Sequence, residues 1–187
     1  MEVAHRNLDG YGSPPIEWEV VERTMSGNLP QAPGAGGPGR HTAWLTTLDV
    51  TGRPHVRPLG ILAHSGSWYF SSSHCTHNTR NVERDPCCVV SVATEPFDLV
   101  VEGVAHRVTG ADELSDVAAA WSRDGWPATV EGDALTAPFS APSGGKPPYY
   151  VYRVGVDRVY AFGTAEPYGA TRFDLTDGSV SPLGHRP

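Results

Sequence analysis

Residues 16–25 (IEWEVVERTM) place Ile16, Val20, Val21 and Met25 near one helical face and Glu17, Glu19 and Glu22 outside it. This spacing predicts a short amphipathic helix whose apolar stripe needs a partner surface. Residues 26–40 (SGNLPQAPGAGGPGR) carry too much Gly and Pro for a regular element and read as a flexible arm. From residue 41 the pattern changes to short β-rich runs at 41–48, 54–63 and 67–71, separated by turn signals. A helix is predicted over 76–84, with Ser73 or Thr76 as its N-cap and a stop near Asp85 imposed by Pro86. Two more strands follow at 87–93 and 99–108, the first so apolar that burial on both faces is expected.

Residues 112–123 predict a second helix with Leu114, Val117, Ala118 and Trp121 on one face, ended by Gly125. Residues 134–148 read as a loop, and strands are predicted at 149–154, 158–163 and 170–175. Six or seven short strands with two intervening helices are best closed as a small, mainly β barrel, which removes exposed edges. The chain divides into an N-terminal helix and arm over 1–40 and a barrel domain over 41–187.

Composition narrows the function. At 187 residues with Gly 21 and Pro 17, the chain suits one β-rich domain and disfavours a helical bundle. A formal net charge of -7 repels extended polyanions, so no nucleic-acid partner is expected. The apolar runs are strand-sized and the N-terminal residues lack a signal pattern, so a cytoplasmic chain without membrane association is expected. The thiols Cys75, Cys87 and Cys88 show no disulfide framework and read as reduced.

The usual phosphate-loop, dinucleotide, hydrolase and zinc signatures are missing. A metal at His74, Cys75 and His77 would lack an evident further ligand, and none is expected. The informative segment is 70–81 (FSSSHCTHNTRN), which leaves a strand with Ser71, Ser72 and Ser73 and enters a helix bearing Arg80. Hydroxyls and unpaired N–H groups at a helix start, beside an arginine, suit a phosphate monoester. The alternative is purely structural: the serines cap the helix and Arg80 pairs with Asp85. Between Arg40 and Gly110 acids and arginines balance, and most of the histidines lie there, so the acid excess sits elsewhere. Trp44, Trp68 and Tyr69 read as packing residues, Trp121 and Trp126 as pins for the second helix, with Trp126 beside Pro127 also placed to line a pocket mouth, and Glu102 as a cross-sheet partner of Arg57 or Arg107.

GRPHVRP at 52–58, WYFS at 68–71, TRNVERDP at 79–86, VEGVA at 101–105 and ATRF at 170–173, in this order and spacing, resemble the pyridoxamine 5'-phosphate oxidase-like flavin-binding split-barrel family. The resemblance runs from about residue 41 to 175. It implies a six-stranded split β-barrel, a homodimer, and FMN or the deazaflavin coenzyme F-420 bound at the subunit interface. It lays the cofactor ring along Arg57, Pro58, Leu59 and Gly60. The phosphate falls at Ser71, Ser72, Ser73 and the helix start, among His77, Asn78, Thr79 and Arg80. Arg172 matches a position that in relatives often closes the site, from its own chain or from the partner subunit. Where relatives carry a basic pair before the TRN portion, this chain has His77 and Asn78.

The function implied is a flavin-dependent oxidoreductase acting on a small conjugated substrate, in which the cofactor carries the chemistry and no catalytic side chain is required. His55, Arg57 or Arg172 would orient the substrate. The alternatives are a deazaflavin-dependent reductase and a non-catalytic flavin or haem carrier, with His74 or His77 as axial ligand.

Overall fold

A computed structural model describes residues 3–27, 29, 43–141 and 143–175. The chain runs β1 (Val3–Asn7), α1 (Trp18–Ser26), β2 (Ala43–Leu48), β3 (Pro54–Leu59), β4 (Leu62–His64), β5 (Ser67–Ser73) and α2 (His77–Arg84). It continues through β6 (Cys87–Ala93), β7 (Phe97–Val108), α3 (Ala111–Arg123), β8 (Thr129–Glu131), β9 (Ala134–Thr136), β10 (Tyr149–Gly163) and β11 (Ala170–Leu175). Most of the arm predicted over 26–40, and residues 41 and 42 of the first predicted strand, lie outside the described residues.

The fold is mainly β, as the pattern predicts, with one mixed-length sheet ordered β1-β11-β10-β7-β6-β2-β3. The strands β4, β5, β8 and β9 branch from it through β10, so the sheet has eleven strands among the described residues, several of them only three residues long. The two strands predicted at 149–154 and 158–163 are one strand, β10, because a bulge between Val156 and Arg158 bends it without breaking the ladder. Its first half pairs with β5 and its second half with β11, while β7 runs beside it almost throughout. The run predicted at 54–63 instead splits into β3 and β4 around Gly60 and Ile61. A β8–β9 hairpin occupies part of the stretch read as a loop.

The N-terminal segment is more than an arm. β1 adds to the sheet against β11, which its polar sequence does not announce because the pairing depends on a strand far along the chain. α1 buries Val21 completely in the barrel core and leaves Val20 exposed, so its stripe is narrower than predicted. The Trp68 indole N–H donates to the Met25 carbonyl at 2.8 Å and ties the end of α1 to β5.

β6 corrects the expectation of a strand buried on both faces. Cys88, Val90 and Val92 enter the core, whereas Cys87, Val89 and Ser91 are half-buried on an outer face that no layer among the described residues covers. Directly paired residues of antiparallel strands share a face. The registers therefore put Val56, Thr46, Val89, Glu102, Arg158 and Asp174 in one outer row, and Pro58, Trp44, Ser91, Val100, Tyr160 and Arg172 in the next. Glu102 pairs with Arg158 at 2.9 Å, rather than with Arg57 or Arg107. Among the described residues no helix is long and apolar enough to cross a membrane.

The close approach of β7 and β10 at the bulge requires glycine. A Cβ on Gly103 would stand 2.1 Å from the Gly155 carbonyl oxygen, a backbone atom that cannot step aside, whereas one on Gly155 would meet only the ring of the exposed His106. Gly103→Ala is expected to lower the unfolding free energy by about 1–3 kcal/mol, and Gly155→Ala by clearly less. Urea denaturation of the two variants checks this, and equal losses would refute it.

Candidate functional site

The β5–α2 junction is fixed by its hydroxyls. Thr76 is the N-cap of α2, accepting from the Thr79 N–H at 3.3 Å, which settles the choice between Ser73 and Thr76. Thr76 also donates to the Ser73 carbonyl at 3.1 Å, and Thr79 donates to the same oxygen at 2.8 Å. With the Thr76 proton so committed, the Ser72 hydroxyl, 2.7 Å away, donates to Thr76. The fully buried Ser73 hydroxyl donates to the Lys146 carbonyl. Of the three candidate serines, Ser71 alone has no hydrogen-bond partner for its hydroxyl among the described residues. The N–H groups of His77 and Asn78, at the first two helical positions, have no acceptor within the helix.

This junction borders a cleft of about 800 Å³ that gathers Arg57, Pro58, Leu59 and Gly60, Ser71 to Ser73, and His77 and Asn78. His55 and Thr76 join them. The pairing of His55 with Thr47 and of Arg57 with Leu45, both buried, puts His55 and Arg57 on the inner face of β3. Three predicted residues lie elsewhere. Thr79 is buried and structural, because its hydroxyl serves Ser73. Arg80 is exposed on α2, borders no part of the cleft, and makes no ion pair with Asp85.

Arg172 sits in the outer row of the sheet, bound to Asp174 at 2.8 Å, and so cannot close the site of its own chain. Arg158 first, and Arg172 after it, hold the Asp174 carboxyl below its ordinary range.

Nδ1 of His55 and Oδ1 of Asn78 are buried without a well-formed hydrogen bond, and the Asn78 side chain is itself the polar neighbour of the His55 ring. Both residues border the cleft. The His55 and His77 rings are 5.7 Å apart. Burial, then the Arg57 charge, then His77 push His55 below the ordinary histidine value of 6.5. The donor set is therefore one hydroxyl, two helix-start N–H groups, a carboxamide, two imidazoles and one guanidinium. No cluster of metal ligands occurs among the described residues.

A second wall was not legible as a site. Trp121, Asp124, Trp126, Phe139 and Tyr149 also border the cleft. The sequence reading of Trp121 and Trp126 as pins holds in part, since they meet edge-on at 5.4 Å and 87°. The segment carrying Phe139 and Gly145 comes to the cleft through Trp126, whose indole donates to the Phe139 carbonyl at 2.8 Å, and through Ser73. The one sequence signal for this wall is Trp126 beside Pro127, an aromatic residue in a stretch that cannot be helical.

The sign of the His55 shift gives a pH dependence. The folded state favours the neutral ring, so the stability it contributes is complete above 6.5 and is lost as pH falls toward the lower folded value. The His55 resonance is expected to titrate below 6.5 and to move upward when inorganic phosphate is added. An NMR titration checks this; a midpoint at or above 6.5, or one indifferent to phosphate, would refute it.

The chain matches the pyridoxamine 5'-phosphate oxidase family model over residues 37–163. No curated protein matches it in sequence. Among solved structures, it is similar to a conserved hypothetical protein from Mycobacterium tuberculosis with a TM-score of 0.56 and 14% identity, over 83% of this chain and 89% of that one. A pyridoxamine 5'-phosphate oxidase-related, FMN binding protein from Nostoc punctiforme gives 0.51 and 15%, over 75% and 83% of the two chains. PhzG from Burkholderia lata, in complex with tetrahydrophenazine-1-carboxylic acid, gives 0.52 and 10%, over 74% and 78%. These likenesses establish the split-barrel fold, and the family match covers well over half of the sequence. The chain belongs to the pyridoxamine 5'-phosphate oxidase family.

Proposed function

We propose that this chain is a flavin-dependent oxidoreductase that binds FMN between β3, β5 and the start of α2. The observation that carries the reading is the convergence on one cleft of the helix-start N–H groups, the Ser71 hydroxyl and Arg57. The donor set fits a phosphate: N–H groups and the positive end of a helix attract an anion, and Arg57 adds a full charge. His77 and Asn78 replace full cations, so His55 and His77 supply further charge only when protonated.

Bound FMN would supply two-electron chemistry at its ring. The chain's own part is to bind and orient. The backbone of Arg57 to Gly60 offers hydrogen bonds to a ring edge, α2 and Ser71 hold the phosphate, and Leu59 and Ile61 exclude water from the cleft. Coenzyme F-420 presents the same phosphate chemistry to this wall. Binding without turnover is a second reading, favoured by the missing basic pair and by the presence of His77, beside His55, at the cleft as a candidate haem ligand.

The protein also reads as a homodimer paired through the outer face of the sheet. Trp44 is 48% exposed there, with Val56 and Phe162 also open to solvent, and Tyr160 and Phe162 stack at 3° between planes. Exposed apolar surface of this kind marks an association site. It would carry Arg172 toward the partner subunit.

Two measurements test the proposal. In a fluorescence titration, Arg57→Ala and Ser71→Ala together are expected to weaken FMN binding at least about tenfold, matching the loss of a charge-assisted hydrogen bond. Thermal unfolding of the cofactor-free protein should hardly change. If FMN, coenzyme F-420 and haemin all fail to saturate at micromolar protein, the proposal is wrong. In sedimentation velocity, Trp44→Arg is expected to convert dimer to monomer, and a monomeric wild type would exclude the dimer.

A further inference from the structure

The cleft is electrically two-ended. Its first wall presents the start of α2, with Arg57, His55 and His77. Among the described residues its second wall contains one ionisable acid, Asp124, which is also the C-cap of α3. The last carbonyls of a helix carry partial negative charge, so the Asp124 carboxylate and the end of α3 act with the same sign. Arg123 and Lys146 are neighbours in the chain but border no part of the cleft.

The same wall is aromatic and held in place. Trp126 meets Trp121 edge-on and Tyr149 at 5.5 Å and 69°, while its indole N–H is tied to Phe139. Phe139 is 56% exposed, so its ring is open to a ligand in the cleft it borders. Gly145 keeps this segment close, since a Cβ there would lie 2.8 Å from Ser73. The indole of Trp126 is therefore fixed before any ligand arrives, which limits the entropy a stacking ligand must lose.

We propose that this second wall is a subsite for a planar aromatic ligand carrying a positive charge, its ring against Phe139 and Trp126 and its cation at Asp124 and the end of α3. An anionic aromatic would meet carboxylate and helix terminus with the wrong sign. The net charge of -7 adds a field that concentrates cations and repels anions at the protein surface. The inference rests on the flavin reading only in assigning the first wall to an anionic group. The second wall's own chemistry is independent of which anion that is.

Isothermal titration of the full chain with tryptamine and with indole-3-acetate tests the subsite, because the two share a ring system and differ in charge. Tryptamine is expected to saturate and to bind at least about tenfold more tightly than indole-3-acetate. Phe139→Ala should weaken tryptamine severalfold, and Asp124→Asn should remove the discrimination between the two. Both side chains are exposed, so thermal unfolding of these variants should match the wild type. Equal binding of the two ligands, no saturation by tryptamine, or unchanged affinity in both variants would overturn the proposal.

Repeating the titration after a separate FMN titration divides the outcomes. FMN that fails to bind while tryptamine discriminates removes the flavin reading alone. FMN that binds while tryptamine does not discriminate removes the subsite alone.

Discussion

The fold depends on β10 serving as a ladder for both parts of the barrel. A strand of fifteen residues cannot stay flat beside β7 and also change its second neighbour from β5 to β11. The bulge between Val156 and Arg158 makes that change of direction, and the bare backbone of Gly103 opposite it lets β7 follow. One consequence reaches the site: the first half of β10 holds β5 in place, with Tyr149 opposite Ser73 and Val151 opposite Ser71. Another reaches the outer face, where the second half of β10 contributes Arg158 and Tyr160.

What β5 delivers to the site is mainly order. Ser72, Ser73, Thr76 and Thr79 spend their hydroxyls on each other and on backbone carbonyls, and Asn81 fastens α2 to β2 through Thr47 at 2.9 Å. A helix start locked this firmly points its first N–H groups in a fixed direction. That is a more useful anion site than three mobile hydroxyls, since a rigid dipole is not reorganised when the ligand binds. The residues that look most like ligands in the sequence are therefore largely the scaffold.

Local rules made some features legible. The Thr76 cap, the Asp85 stop, the apolar face of α3 and the β-rich frame from residue 43 onward follow from spacing and from backbone chemistry. That residues 57–60, 71–73, 77 and 78 border one cleft was foreshadowed by the hydroxyl-rich helix start at 70–81 and by the family resemblance. Features set by distant pairing were not legible. β1 is a strand only because β11 lies beside it, and Arg172 turns outward because the register puts it opposite Tyr160. Composition made Cys87–Ala93 look doubly buried, since a strand facing a partner or solvent with valine reads like one facing a second layer. The second wall escaped for the same reason: Trp121, Asp124, Phe139 and Tyr149 are brought together by tertiary packing alone.

A net charge of -7 and an anion site are compatible because they act over different distances. The total charge governs approach from solvent and is screened within roughly 10 Å at moderate salt. Binding is governed inside the cleft by helix ends and by one or two side chains at contact range. Here the two scales act in opposite senses at α2 and in the same sense at α3. The α2 end must capture its anion by hydrogen bonds against the general field, which favours a ligand that presents a compact, multiply accepting group. At the α3 end the general field and the local groups agree, so weaker contacts suffice for selection by charge. On the proposed reading, a cleft of this kind would sort two occupants by sign before shape is tested, without needing a basic surface.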